Sequence, residues 1–443
     1  PEAGAISRDL RYPPSHRKGS LLGTQDAATA ILGDLEAVRA WQEPFYKNLH
    51  EHPELSHQEV NTAASVADRL RGAGYDVTEK VGGTGVVGVL RNGDGPSVLL
   101  RSELDALPVK EATGLPYAST VTATDAQGTV VPVAHACGHD IHVTCLLGAA
   151  QLLADHRDQW SGTCIALFQP AEEVGNGARG MVNDHLADVT GAIDVALAQH
   201  VLPLPSGTVG TRSGPVLSAG DTLRATLHGR GGHGASPQAT VDPIVRGAMA
   251  VARLQTIVSR EIAPTDAAVV TVGSFHAGDK GNVIPDDAVL EINARTYSAE
   301  DRKTVLDGIR TIIANEASSS GAPTPPDFET LEAFPPTVND PATTDRVRGA
   351  FDAYFGDAST ELALQTASED FSDIPNALGA PYTYWGIGGT DPKQYAAAAK
   401  AGRIEQDIPF NHSPRFAPVI QPTLDTGTSA LVVAALTWLA KPE

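Results

Sequence analysis

Apolar residues recur at helical spacing through Ile31, Leu32, Leu35, Val38, Trp41 and Phe45, which predicts a first helix from Ala27 to His50. A second runs from Val60 to Arg71 and closes at Gly72 and Gly74, the residue type that helix ends favour. Beyond it the period changes. Short runs rich in Val, Ile and Leu, near Val77 and at Val86 to Leu90, Val98 to Leu100, Ile165 to Phe168 and Val195 to Ala198, alternate with helical stretches such as His142 to Ala154. Unbroken apolar strands separated by helices predict an α/β layer fold, with a mixed, mostly parallel sheet flanked by helices. Ligands in such folds collect beyond the carboxyl ends of the strands.

Between Ser218 and Phe334 the rhythm becomes strand, helix, strand, strand, helix, strand. The segments are Thr222 to His228, Asp242 to Arg260, Ala267 to Phe275, Ala288 to Thr296, Glu300 to Ser318 and Asp327 to Leu331. That order is a split β-α-β unit, self-contained and of α+β type. Pro323, Pro325, Pro326, Pro335 and Pro336 punctuate its end, and the α/β pattern resumes through Tyr382 to Trp385 and a final helix, Leu424 to Leu439. The expected organisation is an irregular arm over residues 1–25, one domain over 26–217 and 335–443, and a second domain, 218–334, inserted into it.

A chain of 443 residues has room for two or three such units. Its 32 Lys and Arg against 53 Asp and Glu give −21 with His neutral, a charge that repels a polyphosphate, so nucleic acid is not an expected partner. The longest apolar stretch, around Ala430 to Ala440, falls short of the roughly 20 residues a membrane span needs, so no membrane partner is expected either. Cys137, Cys145 and Cys164 are an odd set that argues against a disulfide framework and leaves open a thiol with a chemical role. A cytoplasmic location is expected. Because the sequence opens at Pro1, secretion after removal of a leader is the alternative.

The densest polar cluster is His135-Ala-Cys137-Gly-His139-Asp140-Ile-His142. Thiolate and imidazole suit a borderline metal such as zinc, and Cys-x-His in a loop lets both point one way. The plain alternative is a helix start, with Asp140 as N-cap and His142 in the first turn. Glu172 and Glu173 follow the strand Ile165 to Phe168; adjacent carboxylates repel unless a cation or a proton offsets them, and a solvated acidic loop is the alternative. The segments Asp194 to His200, with Gln199, and Pro409 to Pro414, with Asn411 and His412, each place an imidazole at a strand end or helix entry, where a hydrogen-bonded scaffold role is the default. Glu103 and Asp105 follow the strand Val98 to Leu100 and could ligate a metal, orient a metal-bound imidazole, or form a plain acidic turn. What raises all of these is convergence, since each motif lies at a strand end or helix entry of one predicted sheet.

Taken in order, His50-Glu-His52-Pro-Glu54, RSELDALP at 101–108, HACGHDIH at 135–142, QPAEE at 169–173, GRGGHGASP at 229–237, GNVIPD at 281–286, SEDF at 368–371 and NHSP at 411–414 resemble the M20 family of metallopeptidases. The resemblance is strongest to the branch of N-acyl-amino-acid amidohydrolases, hippurate hydrolases and auxin-conjugate hydrolases, and it spans residues from about 30 to about 440. It implies a catalytic α/β domain with two divalent metal ions, zinc foremost and manganese, cobalt or nickel as alternatives, and an inserted ferredoxin-like lid or dimerisation domain. It assigns metal ligation to Cys137, His139, Glu173, His200 and His412, and catalytic roles to Glu172 as general base, to His233 at the scissile carbonyl, often of a partner subunit, and to Asp105. Asn282 and Arg295 are implied to grip a substrate carboxylate. The chain departs from the family in reading Glu103 where relatives usually have Asp, and in its long N-terminal arm.

The expected activity is hydrolysis of the amide of N-acyl-L-amino acids by a homodimer joined through the inserted domain. A dipeptidase or carboxypeptidase on the same centre is the enzymatic alternative, and a non-catalytic metal-dependent binding protein the alternative of another class. The glycines around His233 also fit a plain turn, and Arg295 a surface cation. No G-x-S-x-G elbow supports a serine hydrolase.

Overall fold

The strands Ser97–Glu103, Gly162–Gln169 and Val195–Pro205 bury side chains on both faces, and such strands form the interior of a covered sheet. In the computed structural model, which describes residues 16–441, they lie at the centre of an eight-stranded sheet. Its order is Asp76–Val81, Gly85–Asn92, Gly162–Gln169, Ser97–Glu103, Val195–Pro205, Tyr382–Thr390, Val209–Thr211 and Ser359–Glu361. The four strands from Gly162–Gln169 to Tyr382–Thr390 are mutually parallel, and the first two strands of the order run antiparallel at one edge. Helices His139–Asp155 and Ile420–Leu439 pack together on one face, joined by Leu35–Glu51. On the other face lie Ala178, Met181, Leu186 and Ile374 from short helices. No helix among the described residues is long and apolar enough to cross a membrane, and the three cysteines are free and buried.

Two expectations about the N-terminal region change. The helix expected from Ala27 to His50 is two helices, His16–Leu32 and Leu35–Glu51, broken at Gly33 and Asp34. The apolar period runs straight through the break, but glycine is a poor helix former and Asp favours a helix start. Residues 16–25, expected within the irregular arm, are helical. Ala27, Ala28 and Ile31 are buried where this helix meets the last one, so packing rather than propensity holds it. The rest of the arm, residues 1–15, lies outside the described residues.

The second sheet has the order Ala268–His276, Asp287–Thr296, Ala219–His228 and Asp327–Phe334, antiparallel throughout. Its second strand in chain order lies at one edge and its fourth at the other, the ferredoxin-like arrangement. Along Ala219–His228 and Asp287–Thr296 buried residues alternate with half-buried ones. One face therefore carries the helices Pro243–Arg260 and Ala299–Ser319, packed through Leu254, Ile257, Ile309 and Ile313. Both helices start where the sequence signals it. Asp242 accepts from the backbone N–H of Ile244 and Val245 ahead of Pro243, and Ser298 accepts from Asp301.

Arg101, wholly buried in the central strand, ties the carboxyl ends of the large sheet together. Its guanidinium donates to Gln169 Oε1 (2.9 and 2.7 Å), Glu369 Oε1 (2.6 Å) and Asp370 Oδ1 (3.3 Å), and it pairs with Glu103. Removing one partner from buried charges leaves the others uncompensated. Arg101→Met is expected to destabilise the fold by about 3–5 kcal/mol in guanidinium unfolding; a loss below about 1 kcal/mol would show that the surrounding acids are neutral rather than paired.

Candidate metal centre and cleft

Cys137 and His139 flank a glycine that the geometry requires. Gly138 has φ +91°, and a Cβ there would lie 2.3 Å from Val201 Cγ1. Only glycine lets the chain turn against that strand and enter the helix with both side chains on one side. Helix His139–Asp155 thus begins at His139 with Gly138 as its cap. Asp140, expected as the N-cap, sits inside the first turn with its carboxylate on His50 Nδ1 (2.6 Å) and Ile141 N–H (2.9 Å).

His139 Nδ1 donates to the carbonyl oxygen of Asp105 (2.8 Å), which leaves Nε2 as the lone pair facing the cluster. His200 does the same, its Nδ1 donating to Val201 O (2.8 Å) and its Nε2 lying 3.4 Å from Cys137 Sγ. The Glu172–Glu173 turn follows the strand Gly162–Gln169 through Ala171, a non-glycine residue with φ +50°. Glu59 holds that turn by accepting from Ala171 N–H (2.8 Å) and from Thr84 Oγ1 (2.6 Å). Glu173 Oε1 faces His139 Nε2 at 3.8 Å, while Oε2 faces His412 Nε2 at 3.4 Å. His412 is itself left-handed, φ +69°, with its N–H on Ala136 O (2.7 Å). Left-handed backbone at non-glycine residues persists where the surroundings over-determine it, and such positions gather at functional sites.

All five residues expected as ligands therefore converge. Cys137, His139 and His200 form one group of ligand atoms, Cys137, Glu173 and His412 a second, and His139, Glu172 and Glu173 a third, each mutually within 4.8 Å. Metal–ligand bonds of about 2.1 Å to zinc separate tetrahedral donors by about 3.4 Å, close to the 3.4 to 3.8 Å seen between these atoms. His139 Nε2 and Glu173 Oε1 are buried without a hydrogen-bond partner, as atoms aimed at a cation would be. The donor set fits divalent metal.

The electrostatics agree. Burial, then repulsion from Glu369, Glu173 and Asp370, pushes Glu172 well above the usual carboxyl range. Burial also raises Glu173 to about 7, against the pull of His139. Burial and Glu173 hold the Cys137 thiol well up, and burial drives His200 well down. Glu173, Cys137 and His200 are thus pressed toward neutrality, whereas His139, against its burial, is raised to about 10 by Asp105, Glu103 and Glu173. A divalent cation in this pocket would favour the thiolate, the carboxylates and a neutral imidazole.

Other residues singled out in the sequence serve different ends. His50 is clamped between Asp140 and Glu111 (3.1 Å). Gln199 is scaffold, bonded to Gly427 O and to Trp385 Nε1, and Asp194 caps Ser97 N–H. Asp105 stands behind the centre, accepting from Ser56 Oγ (2.7 Å) and Glu173 N–H (3.0 Å). Arg295 lines the same cleft of about 590 Å³ as Cys137, Glu172, His200 and His412. Its guanidinium donates to Ser368 Oγ and Asn293 Oδ1, and no carboxylate lies within 4.0 Å of it among the described residues. His233 and Asn282 do not line that cleft; they adjoin in a small exposed ribbon, where His233 pairs with Val283 and Gly234 N–H donates to Asn282 O.

Sequence reasoning missed Glu59, which looks like a helix N-cap and makes no cap bond. It also gave no role to Asn411, whose amide donates to Cys137 O (3.0 Å) and Val201 O (3.1 Å), or to Glu369, which accepts from Arg101 and Tyr384. Only their places inside recognisable motifs pointed to the last two.

Residues 99–408 match the model of peptidase family M20/M25/M40. The chain belongs to this family. The M20 chain is 36% identical to thermostable carboxypeptidase 1 of Saccharolobus solfataricus, over 83% of this chain and 91% of that one. It is also 36% identical to N-acetyl-L-cysteine deacetylase of Bacillus subtilis, over 77% and 79%. Among solved structures it is similar to a putative aminohydrolase from methicillin-resistant Staphylococcus aureus, with TM-score 0.81, 29% identity, and 92% and 99% of the two chains covered. It is likewise similar to the Bacillus subtilis YXEP protein, a dinuclear metal-binding peptidase of the M20 family, with TM-score 0.72, 27% identity, and 90% and 98% covered. Membership makes it a metal-dependent hydrolase of amide bonds.

Within this M20 chain, Glu103 reaches its partners despite replacing the shorter Asp. It accepts from His142 Nδ1 (2.7 Å), whose Nε2 in turn accepts from Val201 N–H (2.8 Å). Both His142 nitrogens are thereby spent, and His142 braces the strand of His200 rather than offering a ligand. Gly138→Ala is expected to cost at least about 1 kcal/mol from the left-handed backbone alone and to lower bound metal on purification. An alanine variant with the parent's metal content and melting temperature would contradict the close approach to Val201.

Proposed function

We propose that the chain hydrolyses N-acyl-L-amino acids at a two-metal centre held by Cys137, His139, Glu173, His200 and His412, with Glu172 as general base. The observation that carries this is the convergence of those five donors beside Glu172, whose one ion-pair contact among the described residues is His139 at 3.7 Å. Those five residues would hold the ions, the two oxygens of Glu173 facing His139 and His412. Zinc suits a set mixing thiolate, imidazole and carboxylate. Bound ions would supply Lewis acidity to the acyl oxygen and acidify the attacking water.

Glu172 takes the proton of that water and returns it to the leaving nitrogen, general acid–base chemistry within one pocket. Arg295, whose charge meets only neutral oxygens, anchors the substrate carboxylate. Asp105 fixes His139 from behind. His233 and Asn282 serve the cleft of a second copy, with His233 donating to the acyl oxygen. Residues 218–334 act as the lid and dimerisation domain, and residues 26–217 and 335–443 as the catalytic domain. Dimerisation is supported by the edge strand Ala268–His276, whose outer side pairs with no other strand among the described residues. Val269 and Phe275 are exposed on it, and Ile244, Val245 and Met249 on the adjoining helix. A carboxypeptidase reading is favoured by the resemblance to the Saccharolobus protein, and the same centre and Arg295 would serve it.

Glu172→Gln is expected to lower kcat on N-acyl amino acids by about 10²- to 10⁴-fold while two metals per chain remain by elemental analysis. Unchanged turnover would remove Glu172 as base. Val269→Lys, placed on the lid edge, is expected to shift the chain to monomer in sedimentation and to depress kcat with it; a fully active monomer would rule out help from a second copy.

A further inference from the structure

His412 stands apart from the other residues of the candidate centre. It is the exposed one of the five, its side chain 56% open, and it sits on a loop, residues 409–414, without helix or strand. An open side chain on a loop takes little orientation from packing, so the backbone around it has to be held. On the inner side His412 N–H donates to Ala136 O (2.7 Å), and the Asn411 amide donates to Cys137 O and Val201 O. On the outer side Ala112 N–H donates to Pro414 O (2.7 Å), two residues past His412.

Ala112 and Pro414 are both exposed. A hydrogen bond between two exposed loops contributes little unless both are already ordered. Glu111 orders the first of them. Its side chain is 3% exposed and both oxygens are engaged, Oε1 accepting from His50 Nε2 (3.1 Å) and Thr113 Oγ1, and Oε2 from Ser119 N–H (2.6 Å). His50 is fixed in turn by donating through Nδ1 to Asp140 (2.6 Å), the residue after His139. Against its burial, Asp140 and Glu111 raise His50 to about 10, so both ring nitrogens carry protons and donate. Glu111 thereby fixes residues 111–119 against the start of the helix that bears His139, and Ala112 passes that position on to the loop of His412. The histidines that face the two oxygens of Glu173 are registered against each other through one buried carboxylate.

We infer that Glu111 is a positioning residue for His412, setting the place of that imidazole in the metal centre without touching it. This rests on the two-metal reading above, in which His412 is a ligand. An amide cannot take the place of the carboxylate. Three donors converge on its two oxygens, and an amide nitrogen would face a donor of its own kind.

The test is a competitive chelator titration of the zinc-loaded enzyme beside Glu111→Gln, His412→Ala and the double variant. Glu111→Gln is expected to weaken one of the two zinc ions by about 10- to 100-fold, and His412→Ala to weaken the same ion. In the double variant the loss should be no greater than for His412→Ala alone, because the carboxylate acts through that imidazole; a merely structural role would add the two losses. Additive losses, or zinc held by Glu111→Gln as tightly as by the parent, would overturn the inference and leave His412 a ligand. Zinc affinity unmoved by His412→Ala would remove His412 from the ligands, and the inference with it. In the zinc-loaded parent the Ala112 amide should be protected from deuterium exchange although its residue is exposed. Free exchange there would overturn the inference whether or not Glu111→Gln folds.

Discussion

Glu103, Glu172, Glu369 and Asp370 crowd around one buried guanidinium, and the way that excess negative charge is offset governs everything at the carboxyl ends of the sheet. Arg101 reaches Glu103, Glu369 and Asp370 but makes no hydrogen bond to Glu172. The acid left over is the one that faces His139 and Glu173 in the candidate metal centre. Burial in a low-dielectric interior makes each uncompensated charge expensive, so the same scarcity of cations that would destabilise an ordinary core creates a pocket with affinity for divalent metal. The central strand supplies both halves of the device, with Arg101 inside the sheet and Asp105 just past its end.

Much of this was legible in the residues. The strands of the large sheet announce themselves as unbroken apolar runs because both faces are covered. The inserted unit announces itself by alternation, because only one of its faces is. The ligand motifs were readable because thiol, imidazole and carboxylate fall at the ends of such runs. The break at Gly33 and Asp34 was not readable, since Ile31, Leu32 and Leu35 keep the helical period across it while the packing partner changes. Glu59 was equally opaque. Its position before a helix suggests a cap, and only the tertiary approach of Ala171 and Thr84 turns its carboxylate into the brace of the Glu172–Glu173 turn. Arg101 belongs to the same class, a charge in an apolar strand whose partners lie at positions 169, 369 and 370.

The ferredoxin-like unit meets the Glu172 turn and the segment before Glu369 through specific contacts. Phe334, at the end of the last strand of that unit, would collide with any Cβ at Gly175, its ring atoms lying 2.7 to 3.0 Å from that position. Gly175 closes the turn that bears Glu172, its N–H donating to Glu172 O (2.8 Å). Arg295 and Tyr297 reach across to Ser368 and Gln365, and Ser368 directly precedes Glu369. The position of the ferredoxin-like unit is thus read by the backbone of Glu172 and by the segment leading to Glu369, so a shift of that unit would reach Glu172 without any change in the cysteine and histidine cluster.

The adjacency of Glu172 and Glu173 poses a geometric problem that the backbone solves. In an extended strand neighbouring side chains point to opposite faces, so two carboxyls on consecutive residues would face away from each other. Ala171, at φ +50°, turns the chain out of the strand immediately before the pair, and Gly175 and Gly177 close the turn behind it through Glu172 O and Ala171 O. Both carboxyls then fall on the side of His139, at 3.7 Å for Glu172 and 3.8 Å for Glu173. The strain of a left-handed alanine is held by Glu59 from behind, which places a third buried acid next to the first two and adds to the charge that a cation relieves. The turn that aims the two acids and the charge that recruits metal are therefore one arrangement, and altering the backbone at Ala171 would change both together.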